Sequence, residues 1–288
     1  MTNLARVVLW MTGALLSFSI MAVSIRELAA AHLSIFEILA IRSGTAVLML
    51  VGLLAVRPEL RRYVIPHRFK LHLLRNSVHF ASQYCWATAL TLLPLATVFA
   101  LEFTMPAWTI VLACWILRER LTPSRIGVVV LGLIGVLVIL RPGVASFNPA
   151  AFLVLSAAFG YAITMITTKQ LTATETTFGI IFWMMVMQLP IALAGSDLAA
   201  FTRLTSVDTF AVLGVGLAGT TSHYCLTNAF RSGDATVVVP IDFLRVPLIA
   251  LVGWAFYNET PDIFVLLGTI ILACGVLWNL RAESTGKS

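Results

Sequence analysis

Long apolar runs separated by short polar segments follow one another along the whole chain. A helix needs roughly 20 apolar residues to cross the hydrocarbon core of a bilayer. The runs are apolar on all sides and lack the alternating pattern of a membrane-spanning β-barrel. We therefore predict an all-α integral membrane protein with ten transmembrane helices. The predicted spans are residues 5–25, 33–56, 71–93, 95–117, 124–141, 149–169, 176–195, 208–230, 235–257 and 263–281.

The amino-acid composition also indicates a lipid environment. Apolar residues make up 59% of the 288 residues and charged residues 11%, whereas soluble domains average about 45–50% and about 25%. A soluble fold could not hide this much apolar surface, because a large part of any globule faces water. The four cysteines fall within apolar runs, where a thiol acts as a small hydrophobe, and their spacing indicates neither a metal site nor a disulfide framework.

The basic residues are distributed unevenly between the two sides of this topology. Of the 19 Lys and Arg residues, Arg42 and Arg245 fall inside predicted spans, fourteen fall on the side that carries both termini, and three fall on the opposite side. Lysine and arginine concentrate in the cytoplasmic loops of membrane proteins. We therefore expect both termini to be cytoplasmic.

The chain matches itself at one constant shift, here called the repeat shift, which places Ser82 of the third span on Ser222 of the eighth. Tyr84 and Cys85 fall on identical residues at the same shift. The match predicts two related halves of five helices each, residues 5–141 and 149–281. Because five is an odd number, the second half enters the membrane with reversed polarity. Such inverted repeats are common in transporters, which hold the substrate near the midplane between the halves. A duplication that only built a stable bundle is the alternative.

A further set of segments is distinctive: Arg42, Ala89-Leu90, Pro106, Leu117-Arg118-Glu119-Arg120-Leu121-Thr122, Gly132, Gly135, Ala229-Phe230, Pro247 and Asn258-Glu259-Thr260. With these segments the chain resembles the drug/metabolite transporter superfamily, in its EamA-type branch, over nearly its whole length. The resemblance implies a bacterial inner-membrane protein that exports amino acids, drugs or other metabolites, while other members import nucleotide-sugar-like solutes. The second half has Met184-Met185 where the first half has Arg42, so a symmetric role for this arginine is not expected.

Several ionisable residues fall inside the predicted spans, where translocon scales put the cost of a charge at roughly 2.5–3.5 kcal/mol. Glu102 and Asp242 are separated by the repeat shift and are therefore equivalent in the two halves. From their depth along oppositely directed spans we expect them in opposite leaflets. Two interpretations stay open. Either Asp242 pairs with Arg245 and Glu102 with Arg42, or an arginine holds a substrate carboxylate while a carboxylate takes an ammonium group or a coupling proton.

Helical periodicity adds further candidates to a central cavity. His79, Gln83 and Trp86 share one face of the third span with Asn76, and His223 lies on the matching face of the eighth. We expect spans 1, 3, 4, 6, 8 and 9 to wall the cavity and spans 5 and 10 to be peripheral. The candidate substrate-binding residues are Arg42, His79, Gln83, Trp86, Glu102, Tyr161, Trp183, His223, Asp242 and Arg245.

The sequence therefore predicts a secondary or facilitated transporter that works by alternating access, with export of amino acids as the favoured function. The alternatives are export of drugs, nucleobases or sugar-like metabolites. A channel or an intramembrane enzyme is less well supported, because neither rings of like charge nor a catalytic motif is present. We expect no cofactor, no metal and no nucleic-acid partner. The partners are a small-molecule substrate and the bilayer, with proton coupling and the oligomeric state left open.

Overall fold

The computed structural model describes residues 3–116, 122–141, 148–206, 209–232, 238, 241–260 and 262–285. Regular structure in these residues is entirely helical, which confirms the predicted all-α fold. Two short 3-10 helices, Pro58–Tyr63 and Leu198–Ser206, lie in loops. The motif residues 117–121 and the side chain of Phe230 lie outside the described part. The α-helices are α1 (Asn3–Ala30), α2 (Ile35–Val56), α3 (Phe69–Leu92), α4 (Leu95–Glu102), α5 (Met105–Ile116), α6 (Pro123–Leu140), α7 (Ala151–Leu171), α8 (Thr177–Ala194), α9 (Thr209–Ser232), α10 (Arg245–Tyr257) and α11 (Ile263–Thr285).

These helices correspond to the ten predicted spans. Within the described ranges, seven segments are long and apolar enough to cross a membrane, and α4 with α5 together form one of them. Helices α3 and α9 have 24 residues each but fall outside the seven, because polar side chains interrupt their apolar sequence. The ninth span is interrupted as well, since the short helix α10 follows a turn at residues 243–244.

The contacts between helices show that the two halves are inverted. Arg26, near the end of α1, donates hydrogen bonds to the carbonyl oxygens of Leu90 and Leu93 at the end of α3, so α1 and α3 run in the same direction. Arg75, near the start of α3, contacts Thr168 near the end of α7, so α3 and α7 are antiparallel. The equivalent helices α1 and α7 therefore run in opposite directions, as an inverted repeat requires.

The packing pattern is symmetric under exchange of the halves. Helix α1 packs mainly against α9, and its counterpart α7 packs mainly against α3. The self-equivalent pairs α2 with α8, α4 with α10, and α6 with α11 also pack together. Phe103 and Phe243, which are equivalent under the repeat shift, stack on each other with ring centroids 4.3 Å apart. The pseudo-two-fold axis therefore passes close to this aromatic pair.

Glycines allow α6 and α11, the predicted peripheral spans, to approach closely. A Cβ atom on Gly135 would lie 2.7 Å from Cγ of Leu272 and 2.9 Å from the carbonyl oxygen of Gly268. The opposite faces of both helices expose large apolar side chains, including Leu137 and Ile270. The pair therefore packs together with one side outward, in agreement with the predicted peripheral position of these spans.

We predict that Gly135→Ala lowers the melting temperature of the purified protein. The new methyl group collides with the backbone of α11, and overpacking of this kind costs about 1–3 kcal/mol. The matched control is Gly52→Ala, since nothing lies within 4 Å of a Cβ atom there, and alanine is the better helix former. Thermal unfolding in detergent measures both. Equal melting temperatures for the two variants would contradict the close α6–α11 contact.

Candidate functional site

Two interrupted helices meet in the centre of the bundle. Helix α4 ends at Glu102, and a turn at residues 103–104 precedes α5. In the second half, Asp242 is the last helical residue before the turn at residues 243–244, and α10 begins at Arg245. Pro106 and Pro247 lie in the first turns of the helices that follow, where a missing N–H is tolerated. Interrupted helices at matching positions of two inverted repeats mark the binding region in many transporters.

A buried ion cluster occupies this meeting point. One terminal nitrogen of Arg245 lies 2.5 Å from Oδ1 of Asp242, and the other lies 3.6 Å from Oε1 of Glu102. The indole Nε1 of Trp86 donates a hydrogen bond of 2.8 Å to Oε2 of Glu102. The predicted pair of Asp242 with Arg245 is confirmed. The alternative pairing of Glu102 with Arg42 is wrong, because Glu102 contacts Arg245 instead.

The expectation that Glu102 and Asp242 occupy opposite leaflets is also wrong, since both contact one guanidinium. The reason is geometric. The eight residues of α4 span about 12 Å at 1.5 Å per residue, and half of the hydrocarbon core is about 15 Å thick. Each carboxylate therefore lies close to the midplane, and the long side chain of Arg245 bridges the remaining distance.

Aromatic rings surround the guanidinium of Arg245. Its Cζ lies 3.9 Å from the centroid of the Phe18 ring, 5.6 Å from Phe103 and 5.9 Å from Phe99. A cation over an aromatic face is stabilised by the ring quadrupole, and more strongly where water is excluded. Arg245 is 4% exposed. Its charge is therefore compensated by two carboxylates and by aromatic faces.

Arg42 has a different environment. The residue is 1% exposed, and one terminal nitrogen donates a hydrogen bond of 2.6 Å to Oε1 of Gln83. Its Nε and Nη2 atoms have no hydrogen-bond partner. Within the described ranges no carboxylate forms an ion pair with this residue. Arg42 packs against Gly219 of α9, where a Cβ atom would lie 2.7 Å from Nε.

The two arginines are connected through α3. Gln83, the partner of Arg42, and Trp86, the partner of Glu102, are three residues apart, which is about 4.5 Å along a helix. Tyr161 of α7 lies close enough to interact electrostatically with both Glu102 and Arg42. Around Arg245 two carboxylates face one guanidinium, so this cluster carries an excess of one negative charge when both carboxylates are ionised, and no carboxylate of the described residues compensates the charge of Arg42. The site therefore has a negative pole at Glu102 and Asp242 and a positive pole at Arg42, and their partners on α3, Trp86 and Gln83, are about one helical turn apart.

The remaining candidates lie at different distances from these poles. His79 bonds through Nδ1 to Nε2 of Gln188 at 2.8 Å and packs against the ring of Tyr161. His223 makes an edge contact with Phe18, the ring that covers Arg245. Trp183 lies apart from both poles, because its indole donates a hydrogen bond to the carbonyl oxygen of Val64 in the loop before α3.

Some residues of the site were not identified from the sequence. Gln188, which is 0% exposed, is a single amide in an apolar span, and its pairing with His79 depends on the packing of α3 against α8. Phe103 and Phe243 could have been identified as an equivalent pair from the sequence, since they are separated by the repeat shift. Glu37, a further carboxylate in a predicted span, belongs to a capping box with Ser34 at the start of α2.

Polar clusters connect the halves at each end of the bundle. At the end formed by the α3–α4 turn, Arg26 forms an ion pair with Glu259, whose other oxygen accepts a 2.9 Å hydrogen bond from the backbone N–H of Leu95. Arg26 also lies over the ring of Tyr257, with its Cζ 4.7 Å from the centroid. This cluster joins α1 and the start of α4 to the loop that follows α10.

At the opposite end, Glu175 in the α7–α8 loop accepts hydrogen bonds from the backbone N–H groups of His67, at 2.7 Å, and Arg68, at 3.2 Å. Nε2 of His72 lies 3.4 Å from the same oxygen. Burial by itself raises the pKa of the Glu175 carboxyl, but the two backbone bonds and His72 more than offset it. The pKa of Glu175 therefore lies below its ordinary value.

The fold and the site together define the class of protein to which this chain belongs. Two inverted five-helix halves, with interrupted helices that meet at a buried charge cluster, are the architecture of a membrane transporter. A family model described as the EamA-like transporter family matches residues 5–141 and 148–281. The chain belongs to the EamA-like transporter family, and the predicted resemblance is confirmed.

Individual relatives differ in what they carry. An S-adenosylmethionine uptake transporter of Rickettsia prowazekii is 27% identical over 76% of this chain and 74% of its own. A riboflavin transporter of Brucella anthropi is 31% identical over 80% of this chain and 83% of its own. A pseudopaline exporter of Pseudomonas aeruginosa is 26% identical over 90% of each chain. A protein of known crystal structure, 17% identical, has the same fold over 99% of both chains, with a TM-score of 0.59.

The comparisons establish a multi-pass membrane transporter of small molecules. Because the family and these relatives are transporters, the prediction that the chain is not an enzyme is confirmed. The relatives include both uptake and export proteins, and amino-acid export is not specifically indicated by them.

We predict that Glu175→Gln lowers the melting temperature at pH 7 and that the difference from the unsubstituted protein disappears in acid. Hydrogen bonds to a charged group contribute about 1.5–3 kcal/mol each. Because the pKa is lower in the folded state, this stabilisation is present above the unfolded-state pKa and is lost as the pH falls through the folded-state pKa. Melting curves recorded between pH 7 and pH 3 measure the difference in melting temperature between the variant and the unsubstituted protein.

The control for this experiment is Glu59→Gln, since Glu59 is an exposed residue in a 3.6 Å pair with Arg57. Exposed pairs contribute little, so its melting temperature is expected to follow that of the unsubstituted protein at every pH. A Glu175→Gln difference that persists unchanged at pH 3 would show that the lost contacts do not depend on the carboxylate charge.

Proposed function

We propose that this transporter exports amino acids, or metabolites that contain an amino-acid group, across the bacterial inner membrane. The observation that carries the proposal is the charge distribution at the meeting point of the interrupted helices. Glu102 and Asp242 supply an excess negative charge, and Arg42 supplies a positive charge that no described carboxylate compensates; Trp86 and Gln83, which contact the two poles, are about one helical turn apart on α3. A solute that carries both an ammonium and a carboxylate group matches both poles, whereas a solute of one sign leaves one pole buried and uncompensated.

The relatives support this substrate class in part. S-adenosylmethionine, the substrate in the name of the Rickettsia relative, is a derivative of an amino acid and keeps its ammonium and carboxylate groups. Outward transport is supported by the pseudopaline exporter, which is similar over 90% of this chain. Export also agrees with the resemblance to exporters of amino acids.

Alternating access is the mechanism that we propose. The two halves, residues 5–141 and 149–281, move against each other while the substrate is held near the midplane. With both termini in the cytoplasm, the cluster of Arg26 and Glu259 lies on the outer side and must open for release. The cluster around Glu175 lies on the cytoplasmic side and must rearrange for loading.

Proton coupling is part of this proposal, and the same cluster supports it. Around Arg245 two carboxylates face one guanidinium, so one negative charge needs a partner in each state of the cycle. The ammonium group of an outgoing amino acid pairs with this negative charge in one state, and a proton bound to Glu102 or Asp242 neutralises it in the return state. This alternation predicts exchange of an outgoing amino acid for an incoming proton. The groups that face Glu102 are Asp242, Arg245, Trp86 and Tyr161.

Riboflavin transport is a second candidate. Its support is the riboflavin transporter of Brucella anthropi, which is 31% identical to this chain, together with the stacked pair Phe103 and Phe243, which offers aromatic surface next to the cluster. Riboflavin has neither a carboxylate nor an ammonium group, so it compensates neither pole. Amino-acid transport is therefore the first proposal.

We predict that proteoliposomes containing the protein take up labelled amino acids with saturable kinetics, that unlabelled amino acids compete, and that a pH gradient changes the rate. Glu102→Gln is expected to reduce the flux about 10- to 100-fold, since a hydrogen bond to a charged group contributes about 1.5–3 kcal/mol and 1.4 kcal/mol corresponds to a factor of ten. The variant is also expected to lose the response to the gradient.

Glu59→Gln is the matched control, because the residue is exposed and lies far along the chain from the cluster. Labelled riboflavin is measured in parallel. Riboflavin flux without amino-acid flux, from protein that elutes as a single folded species, would replace the first proposal by the second. Unchanged flux and unchanged pH response in Glu102→Gln would remove the ammonium and proton role from this carboxylate.

A further inference from the structure

We infer that Arg42, and not Arg245, receives the carboxylate of the transported solute, so that the transporter selects solutes with a free carboxylate. This inference rests on the proposed function and makes it more specific. It separates two arginines that the sequence alone leaves as equal candidates, and it names a single chemical group that the substrate has to carry.

The two arginines differ in how their donors are used. Arg245 already binds Asp242 and Glu102 and is covered by Phe18, and Nε is its one buried nitrogen without a hydrogen-bond partner among the described residues. A third anion there would have to displace one of the two carboxylates. Arg42 has one neutral acceptor, Gln83, and two buried nitrogens without a partner. An ionised group in such surroundings is costly unless it is paired, so the compensation has to come from a ligand.

The geometry of the free donors fits a carboxylate. Nε and Nη2 are the two nitrogens along one edge of the guanidinium, and their N–H groups point in parallel. A carboxylate accepts two parallel hydrogen bonds from this edge, which is the geometry in which arginine binds carboxylates most strongly. The bond to Gln83 uses the other terminal nitrogen, so it holds the side chain in place, and the Nε and Nη2 edge has no hydrogen-bond partner among the described residues.

Gly219 lets the backbone of α9 pack against Arg42. A Cβ atom at this position would lie 2.7 Å from Nε and 3.1 Å from Cδ of Arg42. Gly219 lies on a helix that is continuous through this region, so no turn requires a glycine here. Any larger residue would push against the guanidinium, so the present position of Arg42 requires a glycine at residue 219.

The nearby acidic side chains are engaged elsewhere. Glu102 and Asp242 bind Arg245. Glu37, on the same helix as Arg42, accepts hydrogen bonds from the backbone N–H groups of Ser34 and Asp197. Of the acidic residues that the structure describes in these spans, each therefore has another partner. A solute carboxylate is the group that completes the site, and the ammonium group of the same solute then pairs with the negative pole.

We predict that Arg42→Gln raises KM for the best-transported amino acid at least tenfold and abolishes the preference for the amino acid over its amide. The amide keeps the ammonium group and loses the carboxylate, so the unsubstituted protein should bind it at least tenfold more weakly.

Arg42→Lys keeps the charge without the paired donors and should be intermediate. Gly219→Ala should raise KM because the new methyl group displaces the guanidinium of Arg42, and Arg57→Gln, a change at an exposed arginine, should have no effect.

Binding is measured separately from transport by thermal shift, with 3-phenylpropanoate, phenethylamine, L-phenylalanine and chloride as probes. The carboxylate probe should stabilise the unsubstituted protein and Glu102→Gln, and the effect should vanish in Arg42→Gln. Without any ligand, Arg42→Gln should melt no lower than the unsubstituted protein, because it removes an uncompensated charge. A clear fall in its melting temperature would indicate a structural role and overturn the inference.

The outcomes separate this inference from the proposed function. Amino-acid transport that is unaffected in Arg42→Gln and lost in Glu102→Gln would overturn the carboxylate role and leave the function intact. If no amino acid is transported, the function fails, and loss of 3-phenylpropanoate binding in Arg42→Gln would still support the anion site. Stabilisation by chloride equal to that by 3-phenylpropanoate would show a site for any small anion and would overturn selection for a carboxylate.

Discussion

A charge inside a membrane has to be compensated, and the centre of this protein is arranged around that requirement. Arg245 lies between two carboxylates from opposite halves of the chain. Both carboxylates stand at the ends of interrupted helices, so the interruption brings them to the same depth. The ion cluster is therefore a contact between the halves as well as a local pair. It explains why α4 and α10 pack together and why aromatic rings line the meeting point.

The broad organisation of the molecule could be predicted from the sequence, because it depends on long-range averages. The length of the apolar runs indicated the helices, and the constant repeat shift indicated the two inverted halves. The ion pair of Asp242 with Arg245 could also be predicted, since residues three apart on a helix lie on the same face. These features need only the periodicity of one helix or the comparison of one half with the other.

The partners across helices could not be predicted in the same way. Glu102 was a candidate partner of Arg42, yet it binds Arg245, because the turn after α4 ends the helix at the midplane and redirects the carboxylate. Trp183 shares the aromatic character of the site residues, but its indole binds the loop before α3. Each of these outcomes depends on how two helices cross, and a single sequence contains no direct measure of that crossing.

The stacked pair of Phe103 and Phe243 has a mechanical consequence. In the alternating-access cycle that we propose, a rocking of the halves about an axis through this pair would move nearby atoms least. A rotation of about 15° displaces an atom ~15 Å from the axis, the half-thickness of the core, by ~4 Å, and an atom ~5 Å away by only ~1 Å. In such a motion the ion cluster beside the stack would lie close to the rotation axis, and the contacts of Arg26 and of Glu175 would lie far from it. Contacts to a solute at the centre would therefore be preserved, while the two ends of the bundle would move far enough to break and remake a hydrogen bond.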